Sequence, residues 1–179
     1  PMAFEMKENI SDDHQVTVIS DSPTFHFAPS NPWVPPKWRT PEELKIELAP
    51  VFQKKGIDFF QKAAIKVDPK NNKIDLDDGS AVEYDYLVIS KGPGLAFDEV
   101  PGLGPEAHTS SVCHVDHAAV AAQNWEKYMQ DPGPIIVGAV QGASCFGHAY
   151  EYLIILETEL RRPIVRDQVP MTFVVTSEP

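Results

Sequence analysis

Hydrophobic residues recur at helical spacing at the start of the chain. Met2, Met6 and Ile10 are four residues apart, with charged positions between them, so that they would share one face of a helix. This pattern predicts an amphipathic helix over residues 1–10.

A short apolar run, residues 15–19, predicts the first strand, and it ends in Ser20 and Asp21. A polar or acidic residue at the end of such a strand is where a doubly wound fold meets an adenosine ribose. A polar strand end before an ordinary turn fits the local pattern equally well.

Residues 22–41 are rich in proline, which predicts a loop without regular structure. Aromatic residues on such a stiff segment can wall a flat cofactor, although packing onto their own domain is the more common use. They are Phe25, Phe27, Trp33 and Trp38. A helix is predicted from Pro41 to Gly56, with Thr40 as its N-cap.

Strand patterns follow over 57–60 and 63–90, the second as an antiparallel β-meander with Asp78 and Gly79 in a hairpin turn. Its last part, residues 86–89, is apolar throughout and predicts a buried strand.

The second half of the chain alternates between helix and strand patterns. A helix is predicted over 115–129, a buried strand over 134–137, a helix to about residue 162 and a strand over 169–175. Strand, helix and strand in this order form a β-α-β unit. We therefore predict an α/β fold, mostly parallel in three layers, with an antiparallel insert.

Composition and charge exclude several classes of function. The chain has 179 residues and a net charge of −11, which argues against a nucleic-acid partner. No apolar run approaches the roughly 18–20 residues that span a bilayer, and no signal peptide pattern is present. Two cysteines do not form a disulfide framework. Pro1 falls within a helical pattern and Pro179 directly follows a strand pattern, so we expect an internal part of a longer protein.

The turn after residue 137 carries the strongest chemical signal. Gly138 and Gly142 would let the backbone turn tightly and bring the helix close to the strand. Val140 occupies the middle position of the usual G-x-G-x-x-G, so the motif is a poor binder of a nicotinamide dinucleotide. Cys145 would begin the helix, where the free amides and the dipole stabilise a thiolate. An inert, buried cysteine is the alternative.

Cys113 is followed closely by His114, Asp116 and His117. A structural zinc site needs about four ligands at recognisable spacing, so we expect no metal here. A histidine near a thiol can instead exchange protons close to neutral pH, whereas surface histidines beside a helix cap are the simpler alternative. No motif of a hydrolase, an NTPase or a thioredoxin-like protein is present.

Six short segments match the pattern of one known family: FAPSNPW (27–33), YDYLVI (84–89), VPG (100–102), CHVDHA (113–118), GASCFG (142–147) and TSEP (176–179). Together they resemble the bacterial sulfide:quinone oxidoreductases, within the flavin disulfide reductases, along essentially the whole chain. The resemblance implies Rossmann-like FAD binding, with sulfide oxidised on one side of the flavin and a membrane quinone reduced on the other.

The resemblance further implies two domains. Residues 1–112 would be part of the FAD-binding domain, without its first strand and its G-x-G-x-x-G, and residues 113–179 would begin a second, NAD-binding-like domain that carries the redox cysteine. The parent protein would be a peripheral protein of the bacterial cytoplasmic membrane, attached through segments outside this chain, and a homo-oligomer is compatible with the family.

Site residues follow from the matching motifs. Cys145 matches one of two paired redox cysteines, Cys113 an accessory cysteine, and His117 a histidine that handles protons. The cofactor-binding positions are Ser20 and Asp21 at the adenosine ribose, Ala63 and Ala64 at the adenine, and Lys91 and Gly92 at the flavin. Lys91 stands where the family has threonine, and Pro35 and Pro36 stand where it has glycines.

Three other interpretations remain open. The flavin subunit of flavocytochrome c sulfide dehydrogenase has similar cysteine chemistry but passes electrons to a haem. A type II NADH dehydrogenase fits less well, because Val140 replaces the nucleotide glycine and Cys145 has no role there. The isolated chain would be a non-catalytic piece without bound FAD.

Overall fold

A computed structural model describes residues 1–143 and 146–175 of the chain. Contacts divide the chain into two compact units. Unit 1 comprises Pro1–Phe25 and Ile46–Gly94, and unit 2 comprises His26–Lys45 and Leu95–Pro179. The predicted boundary between two folding domains after residue 112 stays a prediction.

Unit 1 is built on two parallel strands, β1 (Thr17–Ser20) and β4 (Asp58–Gln61). Two helices accompany them, α1 (Met2–Asn9) and α2 (Leu48–Lys55). The predicted first helix and the strand after it are confirmed, the strand with shifted bounds. The core of the unit joins these elements through Val16, Phe52 and Ile57, onto which Phe4, Met6 and Ile10 pack.

The predicted meander is also confirmed, as an antiparallel sheet of β5 (Ala64–Asp68), β6 (Lys73–Leu76) and β7 (Ala81–Glu83). Its second turn contains Asp78 and Gly79, as predicted. Gly79 has a φ of +82°, which favours glycine, and the Asp78 carboxylate accepts the Ser80 N–H at 3.0 Å.

The predicted buried strand over 86–89 is wrong. Residues 84–94 form no helix or strand, and the side chains of Tyr86 and Ile89 are 90% and 72% exposed. An apolar run becomes a strand only when a neighbouring strand supplies hydrogen bonds to its backbone. No strand in the described part of the chain pairs with this run.

The single helix predicted from 41 to 56 is wrong as well. Residues Glu42–Leu44 form a 3₁₀ turn, Lys45–Glu47 form strand β3, and α2 begins only at Leu48. A helix that already contained residue 46 would lose the hydrogen bond from the nitrogen of Pro50, which has no N–H. Thr40 nevertheless caps the turn, because its hydroxyl accepts the N–H of Glu43 while the Glu43 carboxylate accepts the N–H of Thr40.

The proline-rich segment is not the irregular loop that we predicted. Strand β2 (Thr24–His26) pairs with β3. A 3₁₀ helix then covers Ala28–Trp33. Proline is compatible with the first positions of such a helix, where no N–H is needed, and Ser30, Asn31 and Pro32 are buried within it.

Unit 2 contains the predicted β-α-β element. Strand β8 (Ile135–Ala139) runs parallel to β9 (Met171–Val175), with α4 (Phe146–Arg161) between them in sequence, and α3 (Val115–Tyr128) precedes them. The ring of Tyr150 on α4 lies 4.5 Å from that of Phe173 on β9. A separate cluster of buried residues joins the proline-rich segment to α3 through Val34, Leu44, Val115 and Ala118.

Candidate active site

The predicted contacts to the ribose (Ser20 and Asp21) and to the adenine (Ala63) lie at one edge of the parallel sheet in unit 1. Ser20 is the last residue of β1 and is in register with Gln61, the last residue of β4. Because the strands are parallel, the segments that follow them, Asp21 after β1 and Ala63 after β4, leave the sheet at the same edge. This is the carboxyl edge at which open parallel sheets bind nucleotides.

The donors and acceptors at this edge suit a ribose. The Ser20 hydroxyl oxygen accepts the N–H of Ser22 at 3.2 Å, which fixes the turn. Asp21 is exposed, and its carboxylate has no hydrogen bond or ion pair with any of the described residues. An exposed carboxylate on a fixed turn can accept hydrogen bonds from two vicinal hydroxyls. These residues therefore fit the adenosine part of a dinucleotide.

The other predicted contacts in unit 1 are less well defined. The carbonyl of Ala63 accepts the N–H of Asp77 at 3.0 Å, and Ala64 opens β5 opposite Leu76. The meander therefore already holds the backbone at these two positions. Lys91 and Gly92 are exposed in the irregular run after β7. Roles for all four cofactor-binding positions at the adenine and the flavin stay predictions.

The chain turns tightly over residues 140–143 after β8, but the two glycines of the predicted turn act differently. Gly142 has a φ of +81°, and the N–H of Ala143 donates to the carbonyl of Val140 at 3.1 Å. Gly138 instead lies within β8, where a Cβ would come within 2.3 Å of the carbonyl oxygen of Val174 on β9. Gly138 therefore permits the close approach of β8 and β9 and has no part in the turn. The predicted nucleophile Cys145 lies outside the described residues, directly before α4 begins at Phe146.

Unit 2 also holds the other two predicted catalytic residues. Cys113 is an exposed free thiol, and its backbone N–H donates to the Ser111 hydroxyl at 3.2 Å. Its neighbour His114 is the N-cap residue of α3, and His117 lies in the first turn of that helix. The centroids of these two imidazole rings are 5.6 Å apart.

Two further rings complete this arrangement, and the sequence did not indicate either. His26, at the end of β2, lies edge-on to His114 with 6.0 Å between ring centroids. Phe97 lies 5.5 Å from His117. Residues so far apart in the chain carry no local signal of contact. We call His26, His114 and His117 the imidazole cluster.

Groups of opposite charge surround the imidazole cluster, and their effects on the pKa of His26 oppose each other. Burial, then Lys45 and then His114 lower the pKa of His26, and Asp116 acts against them. The Nδ1 atom of His114 lies 3.5 Å from the Asp116 carboxylate. The Nδ1 atom of His117 is buried and has no hydrogen-bond partner in the described part of the chain.

Two tryptophans of the proline-rich segment bind α4. The indole N–H of Trp33 donates to Glu151 at 2.9 Å, and that of Trp38 donates to Glu159 at 2.8 Å. The guanidinium of Arg162 lies 5.6 Å from the Trp38 ring. Of the two uses that the sequence allowed for the aromatic residues, the structure shows packing onto their own unit for Trp33 and Trp38. The side chains of Phe25 and Phe27 are 47% and 50% exposed.

Two further properties of the described residues bear on function. Residues 1–143 and 146–175 contain no group of three or more His, Cys, Asp or Glu side chains placed to hold a metal ion. Within the same residues, no helix has both the length and the apolar composition to cross a membrane.

The fold is that of the flavin-dependent disulfide oxidoreductases. The structure is similar to a ferredoxin reductase from Rhodopseudomonas palustris, with a TM-score of 0.62 at 16% identity over 96% of this chain and 46% of that one. It is more similar to the crystal structure of the sulfide:quinone oxidoreductase from Aquifex aeolicus, with a TM-score of 0.87 at 37% identity over 97% of this chain and 40% of that one. The predicted fold class is confirmed.

Sequence comparison finds similarity to a protein of equivalent name, from the same organism as this second structure. The chain is 40% identical to the sulfide-quinone reductase of Aquifex aeolicus over 171 residues, which cover 96% of this chain and 39% of that protein. No family model matches the chain. The predicted resemblance to the sulfide:quinone oxidoreductases is therefore confirmed, and the chain spans about two fifths of the length of this relative.

Proposed function

We propose that the protein containing this chain is an FAD-dependent sulfide:quinone oxidoreductase. The observation that carries the proposal is the 40% identity to a sulfide-quinone reductase along 96% of this chain. Similarity of this extent includes both compact units, so that the parts proposed for the nucleotide and for the thiol chemistry are both covered.

FAD would be held by residues of unit 1. Ser20 and Asp21 would bind the adenosine ribose, Ala63 and Ala64 the adenine through their backbone, and Lys91 and Gly92 the flavin. The carboxylate of Asp21 at the carboxyl edge of β1 and β4 is exposed and has no partner among the described residues, which supports this assignment. When bound, the cofactor takes up two electrons from sulfur and gives them to a quinone.

Cys145 would supply the sulfur chemistry together with a second cysteine of the full-length protein. HS⁻ attacks the bridge between the two, so that one S–S bond forms, one breaks, and a cysteine thiolate leaves. Over the whole reaction, H₂S and quinone give zero-valent sulfur and quinol, and two electrons and two protons are transferred. Sulfur accumulates as polysulfide.

Cys113 and His117 would assist this reaction. Cys113 is exposed, which lets an accessory thiol exchange with polysulfide. His117 would hold the protons that sulfide releases, because an imidazole changes charge close to neutral pH. Quinone use also implies that the full-length protein is attached peripherally to the bacterial cytoplasmic membrane, and we propose a homo-oligomer as its assembly.

Sulfide titration of the full-length protein tests the proposal. Under anaerobic conditions, sulfide should bleach the flavin absorbance, NADH should not, and Cys145→Ser should abolish bleaching by sulfide. Cys113→Ser is the matched thiol control, which should slow the bleaching without abolishing it. A flavin that NADH bleaches and sulfide does not would contradict the proposal and indicate a dehydrogenase.

A further inference from the structure

The imidazole cluster is assembled from separate parts of unit 2. His26 ends strand β2, His114 is the residue directly before α3, and His117 lies in the first turn of α3. The ring centroids are 6.0 Å apart between His26 and His114, and 5.6 Å apart between His114 and His117. Both distances fall in the range at which rings pack against each other, so the three rings form a continuous row.

His117 is held in this row from both sides. Phe97 lies against it at 5.5 Å with the ring planes at 57°, and His114 lies against it at 5.6 Å with the ring planes at 54°. Its Nδ1 atom is buried without a hydrogen-bond partner among the described residues. Ring packing, and not a hydrogen bond to Nδ1, therefore defines the orientation of His117 in this unit.

His26, at the end of the row away from His117, has a pKa that depends on the charged groups around it. Among the described residues, the groups that act on the charge of His26 include Lys45 on β3, His114 at the start of α3, and Asp116 in its first turn. Burial, the ammonium group of Lys45 and the His114 ring hold the pKa of His26 below its ordinary value, against the opposing effect of the Asp116 carboxylate. Together these effects favour the uncharged form of the His26 ring, which packs edge-on to His114.

We propose that His26 is a positioning residue that acts through His114 to orient the His117 ring. This inference rests on the proposed function, in which His117 holds protons released from sulfide. His26 touches no reacting group, and its contribution is the edge-on contact that supports His114 against His117. In its uncharged state it supports the row, and its protonation would place a positive charge beside the His114 ring.

Two variants of His26 distinguish the effect of its ring shape from the effect of its charge. His26→Phe keeps a ring and cannot be protonated, whereas His26→Ala removes the ring. With the full-length protein, kcat and KM for sulfide-dependent quinone reduction are measured between pH 5 and 8. His14→Ala is the control, because His14 is an exposed histidine of unit 1.

Near pH 7.5, we expect His26→Phe to retain the kcat of the wild type and His26→Ala to lose about tenfold in kcat with little change in KM. Between pH 5 and 6.5, the wild type should lose more of its rate than His26→Phe, since only the wild type gains a charge at this position. An unchanged kcat in His26→Ala would overturn the proposal, as would identical acid limbs in His26→Phe and the wild type.

A second measurement does not depend on sulfide oxidation. Histidine resonances of the full-length protein, labelled with ¹³C at the imidazole, are followed against pH. Lys45→Gln and His114→Gln should each raise the pKa of His26, and Asp116→Asn should lower it further. If the wild type does not oxidise sulfide, the proposed function fails, and this titration alone then decides whether the row is coupled. An unmoved His26 resonance in His114→Gln would overturn the coupling.

Discussion

The indole N–H of Trp33 donates a 2.9 Å hydrogen bond to the carboxylate of Glu151, across 118 residues of sequence. Trp33 ends the 3₁₀ helix of the proline-rich segment, and Glu151 lies on α4. The same segment reaches α4 a second time through Trp38 and Glu159. Two indoles thus tie a stiff segment to the helix that begins directly after Cys145.

Removing the hydrogen bond between Trp33 and Glu151 should destabilise the full-length protein. Trp33→Phe leaves a partly buried carboxylate without its donor, and we expect the free energy of unfolding to fall by about 1–2 kcal/mol. Denaturant unfolding of Trp33→Phe, Glu151→Ala and the double variant measures the coupling between the two side chains. Losses that simply add in the double variant would show that the bond contributes nothing.

The close approach of β8 and β9 requires glycine at position 138. In Gly138→Ala the new Cβ would lie 2.3 Å from the carbonyl oxygen of Val174, so a strand must move. We expect the free energy of unfolding to fall by about 1–3 kcal/mol. Gly133→Ala is the matched control, because a Cβ there meets no atom within 4 Å. Equal stability of the two variants would contradict this account of Gly138.

Tyr152 gives α4 a dependence on alkaline pH. Burial raises the pKa of its phenol above the ordinary value. Above pH 10 the unfolded chain therefore loses this proton while the folded protein keeps it, so stability falls as the pH rises. The melting temperature should decrease less between pH 9 and 11 in Tyr152→Phe than in the wild type. Tyr86→Phe, at a residue that is 90% exposed, should follow the wild type.

Asp21 should contribute to the affinity for FAD without contributing to stability. Its carboxylate is exposed and makes no contact that folding requires among the described residues. Loss of hydrogen bonds to a charged group should raise the dissociation constant of FAD about tenfold in Asp21→Ala. Flavin retention is measured by absorbance after dialysis of the full-length protein, with Asp12→Ala as the exposed control. Equal retention in both variants would exclude Asp21 from the site.

Local signals account for the parts of the fold that the sequence predicted correctly. The helical spacing of Met2 and Met6, the turn at Asp78 and Gly79, and the strand-turn-helix around Gly142 each involve residues close together in the chain. The strand predicted over 86–89 failed because its formation depends on a partner that no local signal specifies. The apolar run over 86–89 has the composition of a strand, but a strand also needs a neighbour. The missing N–H of Pro50 explains why α2 begins only at Leu48.

The residues of the candidate site also fall into those that local sequence indicates and those that only the fold brings together. Cys113 and His117 are near neighbours, so their pattern was visible in the sequence. His26 was not visible, because the fold alone brings the end of β2 to the start of α3. The contacts of Trp33 and Trp38 with α4 also depend on the fold. Roles taken from motif resemblance, including those of Lys91 and Gly92, stay predictions.

Sulfide-dependent quinone reduction by the full-length protein tests the central claim most directly. The account predicts one quinol formed for each sulfide oxidised to zero-valent sulfur, with no NADH required, and no turnover in Cys145→Ser. Sulfide oxidation that reduces a haem protein but no quinone would contradict the account and indicate a flavocytochrome-type enzyme. Quinone reduction that persists in Cys145→Ser would contradict the role proposed for this thiol.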